Sequence, residues 1–340
     1  MIKANLVIQT AFLGDLILAV PVLRRIRKLS PAGKLIVVCK KGHADFLLRE
    51  QLADFAFEVE KSNRKSYREV LKYTENFEIE NLYCIHRSVR SQLFAAQVKA
   101  HKKVGFSSLL GFWIFDDLVD FDPTAPEVIR QFKILETTDP LTRFEIGEHD
   151  FAQLNEIQKP VPSFFSLAPA RTAAVTKKIA IFPGSVWATK RWTEAGFTKV
   201  AQQLLQDGYK VDLMGGPDDI ALCERIAVMA PGAQVLAGKL SIHESLKNLS
   251  GYDLVISNDS ASTHMAVYNG TRVVTIFGPT TRALGFRPWS DNATVVENLE
   301  LSCRPCGKHG HMKCPLGHHN CMNFISAEQV LQAVTHSLSH

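Results

Sequence analysis

The feature that most limits how this chain can fold is a regular alternation of short apolar β-rich runs with amphipathic stretches. In the first half the predicted strands are residues 6–9, 35–39, 56–59 and 82–85, and the predicted helices between them are 16–28, 44–51, 67–73 and 89–100. Strands separated by helical crossovers run parallel, and the helices then cover both faces of the sheet. The pattern therefore predicts an α/β fold built on a parallel sheet.

The same alternation begins again after residues 151–177, where three prolines and the lack of a period predict a linker. The second set of strands is 178–182, 210–214, 254–256 and 273–277, and its helices are 193–206, 218–229 and one that begins at Ser260. We expect two Rossmann-like doubly wound domains, residues 1–165 and 166–325, facing a central cleft in which ligands bind. A last helix within 326–340 is expected to cross back towards the first domain.

The composition agrees with two globular domains. The 340 residues are 46% hydrophobic and 21% charged, which excludes wholesale disorder. The longest apolar stretch, residues 16–23, is far shorter than the ~20 residues that span a bilayer, and residues 1–10 predict a strand rather than a signal peptide. From these features we expect a soluble, cytoplasmic protein.

Charge is distributed unevenly along the chain. The formal net charge is +5, but residues 1–103 carry 19 basic and 10 acidic side chains, whereas residues 104–150 carry 3 and 10. A basic N-terminal part is typical of a protein with a polyanionic partner, and also of an ordinary solvated surface. A nucleic-acid-binding protein with a zinc module is the alternative from another class. The chain has neither an RNA-binding fingerprint nor a finger spacing, so we expect no nucleic-acid partner.

A glycine and an aspartate follow the first predicted strand. Gly14 permits a tight turn, and Asp15 stands at the start of the next predicted helix, near the carboxyl end of the strand. Asp15 is either a helix cap or a carboxylate that the helix dipole keeps ionised, available to accept a proton from a substrate hydroxyl.

The first strand of the second half leads into a loop that suits a diphosphate. Pro183-Gly184-Ser185 is followed by Thr189 and Lys190, so that a Gly-Ser turn, a hydroxyl and a cation precede a helix N-terminus. The spacing is not that of a Walker loop, and no G-x-G-x-x-G opens either half, which argues against a nicotinamide enzyme. The alternative is an exposed loop with ordinary surface cations.

A third polar segment begins at Ser257, again where a strand leads into a helix. Asp259 is expected to cap that helix, Ser260 to offer its backbone N–H to a phosphate, and His264 to face the same ligand about one turn later. The alternative for His264 is a packed helix residue without a ligand.

Four of the seven cysteines, Cys303, Cys306, Cys314 and Cys321, fall within nineteen residues. In a cytoplasmic chain, a cluster that opens with C-x2-C favours tetrahedral Zn²⁺ over disulfides, although the remaining spacing matches no common finger. A structural zinc and free or transiently oxidised thiols both stay open. Nothing near the cluster resembles a catalytic metal site.

Taken in order, these motifs resemble glycosyltransferase family 9, the ADP-heptose–lipopolysaccharide heptosyltransferases. The resemblance covers about residues 1–330 and includes the further segments 19–23, 86–91, 102–106 and 277–280. The cysteine-rich tail is similar to that of the heptosyltransferase II branch. The resemblance implies a GT-B fold with the acceptor on the N-terminal domain and the sugar nucleotide on the C-terminal one. It also implies inverting transfer without a catalytic metal or other cofactor.

The resemblance implies roles for single residues as well. Asp15 is expected to be the general base and Lys190 to stabilise the ADP leaving group. The residues expected to hold the nucleotide sugar are Ser185, Thr189, Lys190, Asp218, Asp259, Ser260 and His264, and those expected to meet the acceptor are Gly14, Arg87 and Arg90. Ala261 stands where the family usually has glycine, so the backbone approach to the phosphate is expected to differ there.

The implied function is the transfer of heptose from ADP-heptose to the inner core of lipopolysaccharide, on a lipid A acceptor that carries Kdo or heptose. The enzyme would act as a cytoplasmic monomer at the inner face of the inner membrane. The main alternative is a GT-B glycosyltransferase for another nucleotide sugar or for a protein acceptor.

Overall fold

The computed structural model describes residues 1–142, 167 and 177–339. The predicted domain boundary at residue 165, and all of the predicted linker except Leu167 and Lys177, lie outside these ranges. The chain divides into two compact units, Met1–Phe151 and Ala152–His340, and each unit has its own sheet.

The first unit is built on six parallel strands. They are β1 (Ile2–Gln9), β2 (Lys34–Lys40), β3 (Phe55–Val59), β4 (Phe77–Cys84), β5 (Lys102–Phe106) and β6 (Asp117–Val119). The sheet order is β3-β2-β1-β4-β5-β6. The helices described in this unit are α1 (Leu13–Leu18), α2 (Val20–Leu29), α3 (Ala44–Arg49), α4 (Arg64–Thr74), α5 (Val89–Gln97) and α6 (Glu127–Phe132).

The second unit repeats this plan. Its strands are β7 (Lys178–Phe182), β8 (Lys210–Leu213), β9 (Gln234–Val235), β10 (Leu254–Asn258), β11 (Arg272–Phe277) and β12 (Ala293–Glu297), in the parallel order β12-β11-β10-β7-β8-β9. Its helices are α7 (Glu194–Gln206), α8 (Ile220–Met229), α9 (Ile242–Leu249), α10 (Ala261–Tyr268), α11 (Asn320–Asn323) and α12 (Ala327–Ser339). The final helix, α12, packs within this unit on α7, β11 and β12.

The central strands are buried on both faces of each sheet, which explains their apolar runs, while edge strands such as β3 and β12 are half-buried. Ile8 in β1 and Val38 in β2 are fully buried, as are Ile181 in β7 and Ile256 in β10. Each unit therefore has its own hydrophobic core, in which the sheet packs against its helices.

The strand order places a topological switch point in the middle of each sheet. From β1 the chain first adds strands on one side and then crosses, at β4, to the other side; β7 and β10 have the same relation in the second unit. Ligands of such sheets bind outside the carboxyl ends of the strands at this point. A ligand site is therefore expected in the loops that follow these four strands.

The predicted α/β fold class is confirmed, and all eight predicted strands are present. Four further strands, β5, β6, β9 and β12, have no counterpart among the predicted ones. Two lysines open β5, while β6 and β9 contain only 3 and 2 residues. Such runs are too short or too polar to stand out from their surroundings.

The prediction of one helix over residues 16–28 is wrong, because the structure has two helices, α1 and α2, that meet at Ala19. Pro21 lacks the amide with which a continuous helix would bond the carbonyl of Ile17. The N-cap residue of α1 is Phe12, so Asp15 lies inside the first turn and the cap interpretation of Asp15 is also wrong. Among the helices of the described ranges, none is long and apolar enough to cross a membrane.

Candidate active site

A buried ion pair in the second unit joins the loop after β7 to the end of β10. Lys190 Nζ lies 2.6 Å from Asp259 Oδ2, and the two side chains are only 13% and 4% exposed. Thr280, in the turn after β11, donates its hydroxyl to the same carboxylate oxygen at 2.6 Å. The N-cap residue of α10 is Ser260, so the predicted capping role of Asp259 is wrong and its carboxylate serves Lys190 instead.

Asn258 fixes the loop on which Lys190 stands. Its side-chain oxygen accepts a hydrogen bond from the Trp192 amide at 2.8 Å, and its side-chain nitrogen donates to the carbonyls of Pro183 at 2.9 Å and Gly184 at 3.3 Å. Asn258 is itself fully buried. One side-chain amide therefore holds both ends of the loop, and the position of Lys190 depends on it.

His264 lies in the first turns of α10 and is buried, as the packed alternative requires. Burial lowers its pKa to about 4, so the ring is neutral at neutral pH, with Asp259 and Lys190 as its nearest charges. Nδ1 of His264 has no hydrogen-bond partner within the described ranges. Because buried polar atoms in native proteins are usually paired, this nitrogen suits a ligand that supplies the missing partner.

The predicted residues Ser185 and Thr189 make contacts within the protein. The carbonyl of Ser185 accepts from Arg191 Nε at 2.7 Å. The buried Thr189 hydroxyl donates to the carbonyl of His311 at 2.8 Å and accepts from the His311 amide at 2.7 Å. In this structure Thr189 therefore holds two chain segments together.

Asp218 is exposed in the short turn Pro217–Asp219, and it is the neighbouring Asp219 that touches the loop after β7. Asp219 Oδ2 accepts from the Gly216 amide at 2.9 Å, and burial raises its pKa above the ordinary value. A Cβ on Gly184 would lie 1.9 Å from Asp219 Oδ1. A side chain at position 184 would therefore displace the Asp219 carboxylate from the place that it occupies beside the loop.

The cysteine-rich segment, residues 303–321, packs against the two turns that carry Lys190 and Thr280. His319 Nε2 donates to the carbonyl of Thr189 at 2.8 Å, and a Cβ on Gly310 would lie 3.1 Å from Lys190 Cγ. At the other end of the segment, the amide of Cys306 donates to the carbonyl of Pro279 at 2.9 Å. The segment thus contacts both the turn that carries Lys190 and the turn next to Thr280.

The four clustered cysteines are free thiols, of which Cys321 is buried and the other three are half-buried. Burial and then the neighbouring thiols raise the pKa of Cys306, and they raise that of Cys321 to about 11. Within the described ranges, no group of three or more His, Cys, Asp or Glu side chains is placed to hold a metal ion. The zinc site stays a prediction, and the role that the structure does give this segment is packing.

In the first unit, Asp15 lies half-buried in the first turn of α1, at the carboxyl edge of the sheet and next to Gly14. The backbone carbonyl of Asp15 accepts from Gln131 Nε2 at 3.1 Å and from the Ala19 amide at 3.1 Å. Tertiary contact with α6 therefore supports a helix of only 6 residues, which would be marginal alone.

Gln131 belongs to a chain of buried polar side chains. Its Oε1 accepts from Gln9 Nε2 at 3.0 Å, and its Nε2 also donates to Glu127 Oε1 at 2.9 Å. Gln9 ends β1, while Gln131 and Glu127 belong to α6. This chain of hydrogen bonds ties β1 and α6 to the turn that carries Asp15.

Glu127 is a second carboxylate beside Asp15, with a side chain 14% exposed. Burial, with a smaller contribution from the charge of Asp15, raises the pKa of Glu127 to about 7, although Arg130 and Arg87 oppose the shift. Arg130 Nε lies 2.9 Å from Glu127 Oε2. The switch point of the first unit therefore carries two carboxylates in different environments, one of them titrating near neutral pH.

The predicted acceptor residues Arg87 and Arg90 are both exposed near the start of α5. The Arg87 guanidinium lies 3.7 Å from the centroid of the Phe121 ring, which orients it by a cation–π contact. Arg90 lies near Tyr67 of α4, and its charge opposes the rise that burial causes in the pKa of Tyr67. Both cations lie at the carboxyl edge of the first sheet, where they follow β4.

His86, directly before them, is held by hydroxyl groups. Its Nδ1 lies 2.7 Å from Thr10 Oγ1 and 3.1 Å from Ser91 Oγ. Burial, and then Lys61, lowers the pKa of His86 to about 4, so it stays neutral at neutral pH. A polar cluster next to Asp15 is thus already satisfied by hydrogen bonds within the protein.

Several residues of the two clusters are absent from the predicted set, and they share one sequence signal. Asn258 and Gln9 are the last residues of otherwise apolar strands, and Thr280 follows another such strand by three positions. A polar residue at the carboxyl end of a buried parallel strand is therefore informative: it marks Gln9, which no motif contains, as well as Asn258 and Thr280, which lie in motifs without an assigned role.

Residues 75–317 match glycosyltransferase family 9 (heptosyltransferase). A lipooligosaccharide heptosyltransferase 2 of Campylobacter jejuni is 30% identical over 163 residues, which are 46% of this chain and 50% of that protein. The chain thus spans about half the length of the first relatives that it matches.

Two solved structures share the fold along the whole chain. The E. coli ADP-heptose LPS heptosyltransferase II has a TM-score of 0.73 at 19% identity, covering 100% of this chain and 99% of that one. E. coli heptosyltransferase WaaC with ADP has a TM-score of 0.72 at 16% identity, covering 99% and 100%. These likenesses confirm the predicted GT-B fold. With its match over residues 75–317, the chain belongs to glycosyltransferase family 9.

Proposed function

We propose that this protein is an inverting glycosyltransferase that moves heptose from ADP-heptose to the inner core of lipopolysaccharide. The observation that carries the proposal is the buried cation of Lys190, held by Asp259 at the switch point of the second sheet. A departing diphosphate needs such a cation, and a parallel sheet offers its ligand sites at that point. The heptosyltransferase names of the family and its relatives support the sugar, and the ADP in WaaC supports the nucleotide.

In the proposed reaction, Asp15 removes the proton of an acceptor hydroxyl while the hydroxyl oxygen attacks the anomeric carbon of the donor. The bond from that carbon to the diphosphate oxygen breaks, and ADP leaves with the bonding electrons. A single displacement of this kind inverts the configuration at the anomeric carbon. Lys190 neutralises the charge that develops on the leaving phosphate, so the step is assigned to side chains and requires no cofactor.

The remaining donor residues are proposed to surround the diphosphate and ribose. His264 would give its unpartnered Nδ1 to the ligand, and Ser260 would offer its amide at the start of α10. Ser185 and the exposed Asp218 are retained as proposed contacts, the latter with a ribose hydroxyl. For Thr189 the hydrogen bonds to His311 favour a positioning role within the same site.

Arg87 and Arg90 are proposed to meet phosphates or carboxylates of the acceptor, because exposed guanidinium groups suit both. Gly14, in the same turn as Asp15, is proposed to lie beside the reacting hydroxyl. We place the reaction at the inner face of the inner membrane and expect a monomer. The four-cysteine segment is proposed to be structural, and metal analysis of the purified protein distinguishes bound zinc from free thiols.

The proposed function is tested by a donor screen. The purified protein is incubated with a Kdo-containing lipid A acceptor and with ADP-, UDP- or GDP-sugars, and release of each nucleotide is measured. We expect ADP release that depends on both ADP-heptose and the acceptor. Release of UDP alone would overturn the ADP-heptose assignment and indicate another nucleotide sugar.

Asp15→Ala is expected to lower kcat by about 10²–10⁴-fold, the range for loss of a general base. The dissociation constant for ADP-heptose, measured by calorimetry, should stay nearly unchanged because the donor is proposed to bind to the second unit. Asp45→Ala is the matched control, since Asp45 also lies in the first turn of a helix but forms only an exposed ion pair with Arg49. Turnover of Asp15→Ala at the rate of this control would remove Asp15 from the role of base.

Lys190→Met is expected to weaken donor binding and to lower the free energy of unfolding by about 3–5 kcal/mol, because it leaves the Asp259 carboxylate buried without its cation. Adding Asp259→Asn should restore most of the stability and none of the donor affinity. Urea unfolding and ADP-heptose calorimetry separate the two effects, with Lys199→Met on the exposed face of α7 as control. Recovery of donor affinity in the double variant would contradict the proposed contact of Lys190 with the diphosphate.

Glu127→Gln is expected to flatten the pH dependence of stability. Folding raises the pKa of Glu127 from 4.5 to about 7, so its favourable contribution is complete below the lower value and is lost as the pH rises through the upper one. The free energy of unfolding should therefore fall between these pH values in the unmodified protein and fall less in Glu127→Gln. Equal slopes in urea titrations across this interval would show that Glu127 titrates normally.

A further inference from the structure

The first unit exposes a group of large apolar side chains on the loop after β5. Leu109, Phe112 and Trp113 are 95%, 68% and 83% exposed. Scattered exposed apolar residues are ordinary, but neighbouring Leu, Phe and Trp side chains with so little cover are not. The four tryptophans of the chain differ sharply in this respect, since Trp192 and Trp289 are each only 3% exposed.

Helix α5, which a hydrogen bond joins to this loop, also exposes apolar side chains. Val89 and Leu93, one helical turn apart, are also exposed. Gln92, on the same helix, accepts from Ser108 Oγ at 3.0 Å, and Ser108 Oγ accepts from the Gly111 amide at 2.9 Å. The loop and the helix are therefore joined, and we call the surface formed by Val89, Leu93, Leu109, Phe112 and Trp113 the apolar face.

The apolar face is held in one conformation by the core beneath it. The Phe112 and Trp113 rings meet edge to face, with centroids 5.5 Å apart. The Phe115 amide donates to the carbonyl of Gly111 at 2.9 Å, and the Phe115 ring belongs to the hydrophobic core of the unit. The turn that carries the exposed rings is thus anchored in the core. Covering these rings with a partner therefore loses little conformational entropy.

Cations lie along one side of the apolar face. Arg90, in the first turn of α5, is exposed, and its charge acts on Tyr67 of α4. The Tyr67 ring packs against Phe94 of α5, with 5.3 Å between the ring centroids. Tyr67 belongs to α4, whose first turns also expose basic side chains, and these are Arg64, Lys65 and Arg68. The face therefore combines an apolar centre with a basic margin.

The chain directly after the loop carries acidic residues, and these are engaged with groups of β5 and of the turn after it. Asp116 Oδ2 accepts from the Lys103 amide at 2.7 Å, and Asp117 lies 2.7 Å from Lys102 Nζ. Asp120 Oδ1 accepts from Ser107 Oγ at 3.0 Å. On the α4 side, Lys65 lies 3.8 Å from Glu69, whereas Arg64 and Arg68 are exposed and form no ion pair within the described ranges.

The apolar face also lies at the functional edge of its unit. The loop follows β5 and α5 follows β4, so both begin at the carboxyl edge of the sheet, as does the turn that carries Asp15 after β1. An acceptor that reaches Asp15 would have this surface beside it.

We propose that the apolar face is a docking surface for an anionic lipid bilayer, with the Leu109, Phe112 and Trp113 side chains inserted at the interface and the α4 and α5 cations against the headgroups. Tryptophan, phenylalanine and leucine beside Lys and Arg are the residues that hold proteins in this interface. The proposal rests on the proposed function only in that the acceptor is a lipid; the surface itself is defined by exposure and charge.

The test uses the full chain and vesicles of phosphatidylethanolamine with phosphatidylglycerol. We expect the protein to sediment with these vesicles and less with phosphatidylcholine alone, and we expect high salt to weaken binding. Trp113 emission should shift to the blue and be quenched by brominated lipids, because it enters the bilayer. Trp113→Phe should keep binding but lose most of the shift, whereas Phe112→Ser with Trp113→Ser should weaken binding by about tenfold or more.

The matched control is Val228→Ser with Met229→Ser, which removes two exposed apolar residues from the second unit. This variant should bind vesicles as the unmodified protein does. The proposal would be overturned if the Phe112→Ser, Trp113→Ser variant bound vesicles as well as the unmodified protein does. It would also be overturned if light scattering showed an oligomer that this double substitution dissociates, since the face would then be an interface between copies of the chain.

Failure of the docking proposal is distinguishable from failure of the proposed function. Turnover on a short-chain, detergent-free acceptor should be the same in the Phe112→Ser, Trp113→Ser variant and in the unmodified protein, while turnover on vesicle-bound acceptor should fall. If ADP release is absent in every case while the vesicle results hold, the docking surface stands and the transferase assignment falls.

Discussion

The ion pair between Lys190 and Asp259 organises the site of the second unit. Removing both charges from water costs several kcal/mol for each ion, and the pair offsets this only when its geometry is tight and the other lone pairs are satisfied. The 2.6 Å separation and the hydroxyl of Thr280 meet both conditions. The loop that carries Lys190, the end of β10 and the turn after β11 must then keep their relative positions. Asn258 and the cysteine-rich segment hold them there. The proposed contact of Lys190 with a diphosphate would compete with this stabilisation and would couple donor affinity to the folding stability of the unit.

The parallel sheet explains why both units collect their polar groups in the same place. All strands end at one edge, and the switch point leaves a gap there in which side chains from different loops meet. The two units place different charged groups in this gap. The first unit places the carboxylates of Asp15 and Glu127 there, whereas the second places the ion pair of Lys190 and Asp259 there. Acceptance of a proton and stabilisation of a leaving phosphate are the two tasks that such charges perform.

The elements that sequence analysis predicts are those determined locally, and the ones it misses depend on distant contacts. Apolar runs and a Gly-Ser turn are enough to locate β7 and the loop after it. They do not show that Asp219 rather than Asp218 would fill the space above Gly184, because the two adjacent carboxylates differ only in how the turn orients them. The hydrogen bond from Gln131 to Asp15 joins positions 116 residues apart, and no local pattern encodes it. The break between α1 and α2 at Ala19, in contrast, could be predicted locally, because Pro21 cannot donate its amide within a continuous helix.

The position of Asp15 also restricts where a membrane-bound acceptor can approach. A lipid whose chains leave the bilayer loses about 0.8 kcal/mol for each exposed CH₂ group, so the protein must come to the surface instead. Under the proposed role of Asp15 as the base, the side that meets the bilayer is the carboxyl edge of the first sheet, because Asp15 lies there. A cavity of about 600 Å³ lined by Phe77 and His101 opens at the opposite, amino edge and is poorly placed for this task. The exposed Trp113, on the loop that follows β5, meets the requirement.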